Sequence, residues 1–228
     1  MSADQRRLVG NRLALTGAIL YLLEWVAILG INSGDVPAGH GTKPADIFAT
    51  YANHETGIAL SAAWFSVVLL GRILFVAGIR DGLRRSGAQT LLADFALAAM
   101  AVSVVLEIAA YGVAGGAALA AARGADQSTV VAIDAVASWL TLTVFVPFAV
   151  SILTASFGMH SSRLFPAWLC WLGLAAGVVG LIYGLLVGPA YVAGGSIYQA
   201  TQPLGIFVLA AWVWMIASGV VLFRATSR

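Results

Sequence analysis

Between Leu91 and Val113 the chain reads LLADFALAAMAVSVVLEIAAYGV, 23 residues among which only Asp94 and Glu107 carry charge. Crossing the ~30 Å hydrocarbon core of a bilayer takes ~20 predominantly apolar residues of helix, and this run supplies them. With no water inside the bilayer, its backbone N–H and C=O groups must be satisfied within the segment, so it reads as a helix. A membrane barrel would instead show alternating segments of ~10 residues, which are absent here. Five further runs have the same character: Leu13–Ile31, Gly57–Ile79, Thr129–Leu153, Ala167–Val187 and Leu204–Phe223. The third run continues in alanine as far as Ala122. The expected fold is therefore an all-α integral membrane protein, a six-transmembrane-helix bundle occupying residues 1–228 as one domain, since no loop is long enough to fold alone.

Composition agrees. The chain is 61% hydrophobic and 10% charged, with mean hydropathy +0.93, where a soluble domain carries about a quarter charged residues. Arg6, Arg7, Arg12, Arg80, Arg84, Arg85, Arg163, Arg224 and Arg228 fall at the N-terminus, the second and fourth loops and the C-terminus; Lys43 and Arg123 fall on the opposite side, and Arg72 is embedded. Positive charge is retained on the cytoplasmic side, so both termini are expected there, in a plasma membrane. The basic start leads into a run interrupted by Glu24 with no small-residue cleavage site after it, which reads as a retained first span.

Several functions are excluded or disfavoured by what the chain lacks. No basic stripe with interleaved aromatics points to nucleic acid. Cys170 is the single cysteine, which leaves no internal disulfide and no thiolate metal set. Lys43, the single lysine, lies in a loop and offers no Schiff base inside the bundle; His40, His54 and His160 are loop or boundary residues, unsuited to haem between helices. No phosphate-binding glycine loop and no nucleophile elbow occurs. Glu24, Glu107, Asp134 and His54 could suit a divalent ion as a set, but the expectation is no metal and no cofactor.

The connections carry less information. In the first outer loop, Ala45–Ala52 after Pro44 reads as a short amphipathic helix with Ile47 and Tyr51 one turn apart. It would either lie on the membrane surface as a lid or extend the second span. The stretch from Gly188 to Pro203 reads as a loop with interfacial tyrosines Tyr191 and Tyr198, and Pro203 suits the first turn of the last span. Pro147 should kink the fourth span. Gly173, Gly177, Gly180, Gly184 and Gly188 let another backbone approach the fifth span closely, within the bundle or in a homo-oligomer.

Charges inside a membrane cost several kcal/mol and call for an explanation. Arg72 and Asp94 lie toward the cytoplasmic ends of consecutive spans and are expected to pair. Glu24, Glu107 and Asp134 lie five to seven residues from the outer ends of their apolar runs, at one depth of ~8–11 Å by the helical rise, with no cation in the outer half to meet them. Desolvation and like charge then favour neutral, proton-donating carboxylic acids. Tyr21 precedes Glu24 by one turn, Tyr111 follows Glu107 by one turn, and Ser138 follows Asp134 on the same face. Trp25, Tyr51, His54, Trp64, Trp139 and Tyr183 belong to the same outer layer. If these faces converge, they enclose an aromatic pocket with acid in its wall; packing and interhelical hydrogen bonds are the plain alternative.

The segments Arg12–Tyr21 (RLALTGAILY), Pro44–Glu55 and Ser162–Gly173 (SRLFPAWLCWLG) resemble a large bacterial family of six-span proteins, a domain of unknown function, and this resemblance implies the six-span fold alone. In type, a small bundle with embedded carboxylates and many aromatics is similar to membrane-bound terpene cyclases, in which an acidic residue protonates an isoprenoid. That likeness implies a lipophilic substrate, with Glu24, Glu107 and Asp134 as catalytic acids and the aromatic set as its binding wall. A proton-coupled transporter and a non-catalytic assembly subunit are the other readings of the same residues.

Overall fold

The computed structural model describes residues 3–31, 33–88 and 90–225, with side chains from Arg12 onward. Arg228 and the side chains of Arg6 and Arg7 lie outside the described residues. The described chain is all α, with six helical stretches long and apolar enough to cross a membrane: Arg12–Gly30, Glu55–Arg85, Leu91–Ala122, Gln127–Ser162, Ala167–Ala193 and Gly195–Arg224. All six expected runs are present, each extended at one or both ends except the first, which shifts by one residue.

Four of the six are interrupted. The first consists of α1 (Ala3–Leu22) and α2 (Glu24–Gly30), separated at Leu23; α3 (Pro44–Asn53) follows; the second span is α4 (Glu55–Val68) and α5 (Leu70–Arg85), separated at Leu69. The third is the unbroken α6 (Leu91–Ala122). The fourth is α7 (Gln127–Thr143) and α8 (Phe145–Ser162), separated at Val144. Pro147 explains that last break, because it has no N–H to give the carbonyl of Thr143 four residues back. The fifth span is α9 (Ala167–Ala193), and the sixth joins α10 (Gly195–Thr201) through a 3₁₀ turn at Gln202–Ile206 to α11 (Phe207–Arg224). The stretch Gly188–Pro203, expected as a loop, is thus largely helical. Pro189 is carried inside α9, and Pro203 opens the 3₁₀ turn instead of the last α-helix.

Each span packs on the next in sequence, and α11 returns to pack on both α9 and α1, closing the six into a ring. The tightest seam joins α1 to α5. A Cβ on Gly17 would lie 2.4 Å from the Phe75 nitrogen, one on Gly71 would lie 2.5 Å from the Gly17 oxygen, and one on Gly78 would lie 2.4 Å from the Ala14 nitrogen. Small residues let membrane helices meet backbone to backbone, and this contact brings Tyr21 alongside Arg72. Gly17→Val should force the two helices apart at a cost of about 1–3 kcal/mol or more, read as a lowered midpoint in denaturing-detergent titration. The glycines of α9 pack inside the same ring: Gly177 and Gly184 against the backbone of α8 at Leu153 and Val146, Gly180 against Phe207.

The third and fourth spans are longer than a bilayer needs. At 32 and 36 residues they rise ~48 and ~54 Å at 1.5 Å per residue, against ~30 Å of hydrocarbon. Arg80, Arg163 and Arg224 mark one face, so the surplus projects from the other. There α3 packs across α6 and α7, and Ile47, Tyr51, Ile58, Ala114, Ala117, Val130 and Ala137 form a hydrophobic cluster separate from the main core. The expected surface helix is therefore real but rests on protein, with its apolar residues Ile47 and Tyr51 buried. It is also no extension of the second span, because His54 at φ −127° breaks the two apart. The turn Arg123–Asp126 tops this cap, and the Asp126 carboxylate accepts from the Thr129 N–H at 2.9 Å as N-cap of α7. Hydrogen bonds from Ser128 and Thr129 lower its pKa from 3.8 to about 2, so the cap contact is complete above pH 3.8 and is lost as pH falls through about 2.

Candidate functional site

The break at Leu23 and the glycine seam together direct Tyr21, Glu24 and Arg72 into the ring. Arg72 is 2% exposed and forms an ion pair with Glu107 of α6. Its guanidinium lies 5.0 Å from the ring centres of both Tyr21 and Phe148, a sandwich that suits a desolvated arginine. The expected Arg72–Asp94 pair does not form; Arg80 takes Asp94 instead. Arg72 stands eight residues, ~12 Å, above Arg80, while Glu107 stands thirteen residues, ~20 Å, above Asp94. A guanidinium on its long flexible stem covers that difference, and Arg80 is better placed for the boundary carboxylate.

Glu24 completes this centre. It is 8% exposed, interacts electrostatically with both Glu107 and Arg72, and its Oε2 is buried without a hydrogen-bond partner. Arg72 and Glu107 already compensate each other, so Glu24 has no cation of its own. Around it, Tyr21 and Trp25 pack on Trp212 at 4.9 and 5.3 Å. Trp64 donates its indole N–H to the Leu23 carbonyl at 2.7 Å, securing the helix break beside Glu24. Tyr111 stacks face to face on Phe65, 3.9 Å between centres, and interacts electrostatically with Glu107, Glu24 and Arg72.

Above that stacked pair is a cavity of about 400 Å³ lined by Ala27, Ser33, Asp35, Thr42, Ser61, Phe65 and Tyr111, among others. Ala27 is one turn beyond Glu24 on the same face of α2, so the acid lies just beneath the chamber. Ser61, in the lining, is 4% exposed and its hydroxyl is buried without a partner.

Asp134 belongs elsewhere. It sits in the cap, where Oδ1 accepts from the Ala38 N–H at 2.9 Å and from the Tyr51 hydroxyl at 2.7 Å. Ser138 and Tyr191 donate to the carbonyl of the same Ala38, both at 3.4 Å. The strap 33–43 is thus pinned at one residue through both backbone groups, and His40 packs between Tyr191 and Tyr198 at 5.4 and 4.8 Å. Burial first, and then the bond to Asp134, raise the Tyr51 pKa well above its ordinary value. The expectation of one depth for three acids fails at Asp134 because α7 begins beyond the hydrocarbon, so the start of its apolar run is not the membrane boundary. Tyr51→Phe should loosen the strap by about 1.5–3 kcal/mol, the range for a hydrogen bond to a charged group, measured as faster amide exchange over residues 36–43.

The remaining expected site residues are dispersed. His54 forms the break between α3 and α4, Trp139 lies half exposed beside Gly188, and Tyr183 packs with Phe145 and Phe207. Among the described residues, no three of His, Cys, Asp and Glu cluster as a metal ion would require. No model of a known family, no curated protein and no solved structure matches the chain. What stands is a six-helix, apolar, all-α protein, and its function is to be argued from Glu24, Arg72, Glu107, Tyr111 and the chamber above them. Arg72, Phe65, Ser61 and Trp212 are among the members that sequence reasoning did not assign to a site. A lone arginine within an apolar run was the one signal that could have recruited Arg72.

Proposed function

We propose that this protein is an intramembrane acid–base enzyme, with Glu24 as the proton-holding acid and an amphipathic small molecule in the strap-covered chamber as substrate. The observation that carries this reading is the unpartnered, buried Glu24 oxygen beside a self-compensated Arg72–Glu107 pair. As a neutral carboxylic acid, Glu24 gives its proton toward the chamber while Tyr111, at the chamber floor, passes its own phenolic proton to the substrate. Tyr111 is then reprotonated by Glu24, whose carboxylate lies in the field of the shared Arg72 until it takes up the proton that the substrate gives up as product forms. Preorganised charge in a water-poor site is what makes such a transfer effective. Isoprenoid cyclisation is the most specific form of this chemistry, but Ser33, Asp35, Thr42 and Ser61 in the lining favour a substrate with polar groups of its own.

The reading is tested with detergent-solubilised protein and no ion gradient. Extracted membrane lipids and small polar lipids are incubated with wild-type and Glu24→Gln protein, and products formed only by the wild type are sought by mass spectrometry. A second reading, a proton-coupled carrier, is favoured by the helix breaks at Leu23 and Leu69 on either side of the buried charges, since discontinuous spans often frame transported substrates. Proton-dependent uptake by vesicles, with no product in detergent, selects it instead. We further propose that the chamber opens on the non-cytoplasmic side, as the positive-inside pattern implies. Lys43, the single lysine and exposed at the N-cap of α3, should then react with an impermeant amine reagent on intact cells; labelling only after lysis reverses the orientation.

A further inference from the structure

A second cavity, of about 600 Å³, is built between α6, α7, α8 and α9, and none of the acids lines it. Its wall on α6 runs from Phe95 to Leu106, eleven residues or ~16 Å along the helix axis, with Asp94 of the terminal-face ion pair just below and Glu107 just above. That places the groove within the hydrocarbon layer. Phe95, Val102 and Trp139 are each about half exposed along it, so it opens sideways, toward lipid. Gly188 leaves it open near the top, where the Trp139 ring would stand 3.5 Å from an added Cβ.

Two prolines in the wall, Pro147 and Pro189, each deprive a carbonyl four residues back of its helical donor, and at Pro147 that residue lines the groove as well. Thr143 and Pro147 both line the groove, and Pro147 offers no N–H to the Thr143 carbonyl. The Thr143 hydroxyl is already committed to Leu140 at 2.7 Å. A carbonyl deprived of its helical donor within hydrocarbon is costly unless a neighbour supplies one. A saturated acyl chain fills the apolar length of this groove but has nothing to give that oxygen. A long-chain lipid bearing a hydroxyl does both.

We infer that this groove is a binding site for a hydroxyl-bearing lipid, with its chain along α6 between Phe95 and Leu106 and its hydroxyl donating to the Thr143 carbonyl. The inference is independent of the chemistry assigned to Glu24. It is tested on the full-length protein in detergent micelles, using a photoactivatable long-chain alcohol and its O-methyl ether, with cross-linked peptides mapped by mass spectrometry; a diacylglycerol analogue shows whether a glycerol hydroxyl serves as well as a simple alcohol. The alcohol should label residues 95–106 and 146–150 about three- to tenfold more than the ether, as one hydrogen bond allows. Ala98→Phe, at an exposed wall position, should abolish labelling by both probes while the protein keeps its detergent-denaturation midpoint. Pro147→Ala, which restores the missing N–H, should remove the preference for the alcohol and leave chain labelling in place. Equal labelling by alcohol and ether in the wild type overturns the hydroxyl assignment. Labelling spread evenly to lipid-facing positions such as Val178 and Leu209, or unchanged by Ala98→Phe, overturns the site.

Discussion

Arg72→Met is expected to destabilise the protein by about 3–5 kcal/mol, the cost of leaving a buried charge without its partner. Methionine fills much of the same space between Tyr21 and Phe148, so the loss is chiefly electrostatic: the Glu107 carboxylate is left beside Glu24 with no cation between them. The reciprocal change should be milder. In Glu107→Gln, Arg72 still has Glu24 within its field, and that acid can take over as counter-ion. The double variant Arg72→Met/Glu107→Gln should therefore be more stable than Arg72→Met alone, because it removes both charges. Denaturing-detergent titration of the four proteins gives the coupling directly. Additive losses, with no recovery in the double variant, would show that the pair contributes nothing as a unit.

The second large effect concerns activity. Glu24→Gln keeps the shape of the side chain and removes only the transferable proton, so turnover should fall about 10²–10⁴-fold, the usual contribution of a positioned general acid. Stability should hold or rise, since an amide needs no counter-charge in that environment. Tyr111→Phe should also reduce turnover while leaving the stack on Phe65 in place. Full activity in Glu24→Gln would remove the acid from the mechanism and leave Arg72, Glu107 and Glu24 as a structural network. Retention in Tyr111→Phe alone would point instead to direct donation by Glu24.

The legibility of this molecule from its residues is uneven, for physical reasons. Hydropathy along Leu91–Val113 and its five counterparts reports burial in lipid, a property of each segment by itself, and those spans were readable. Glu24 and Glu107 were readable too, because a carboxyl in an apolar run is conspicuous wherever its partner lies. The partner is a relation between segments: Arg72 and Asp94 looked matched by depth, and only the packing of α5 on α6 shows that Arg72 reaches upward to Glu107. Asp134 was misplaced because Val130, Ile133 and Ala137 are apolar for the sake of a protein cap, and composition does not distinguish that from lipid. Its contact with the Ala38 backbone, ninety-six positions away, left no trace in side-chain chemistry at all.

The ring order of the spans has a consequence for how the chain comes to exist in a membrane. Five of the six seams join spans made one after the other, so each new helix emerging during synthesis finds its partner already delivered. The buried charges follow the same schedule. Arg72 arrives with the second span, next to Glu24 of the first, and Glu107 arrives with the third, so the arginine has a counter-ion within reach from the moment it is released into lipid. Of the two seams that α11 makes, the one with α1 alone joins helices from opposite ends of the chain. A ribosome-stalled chain ending before Phe207 should therefore already hold its charged centre, and its remaining vulnerability is an open gap along α1 that quality-control proteases of the membrane could recognise until the sixth span closes it.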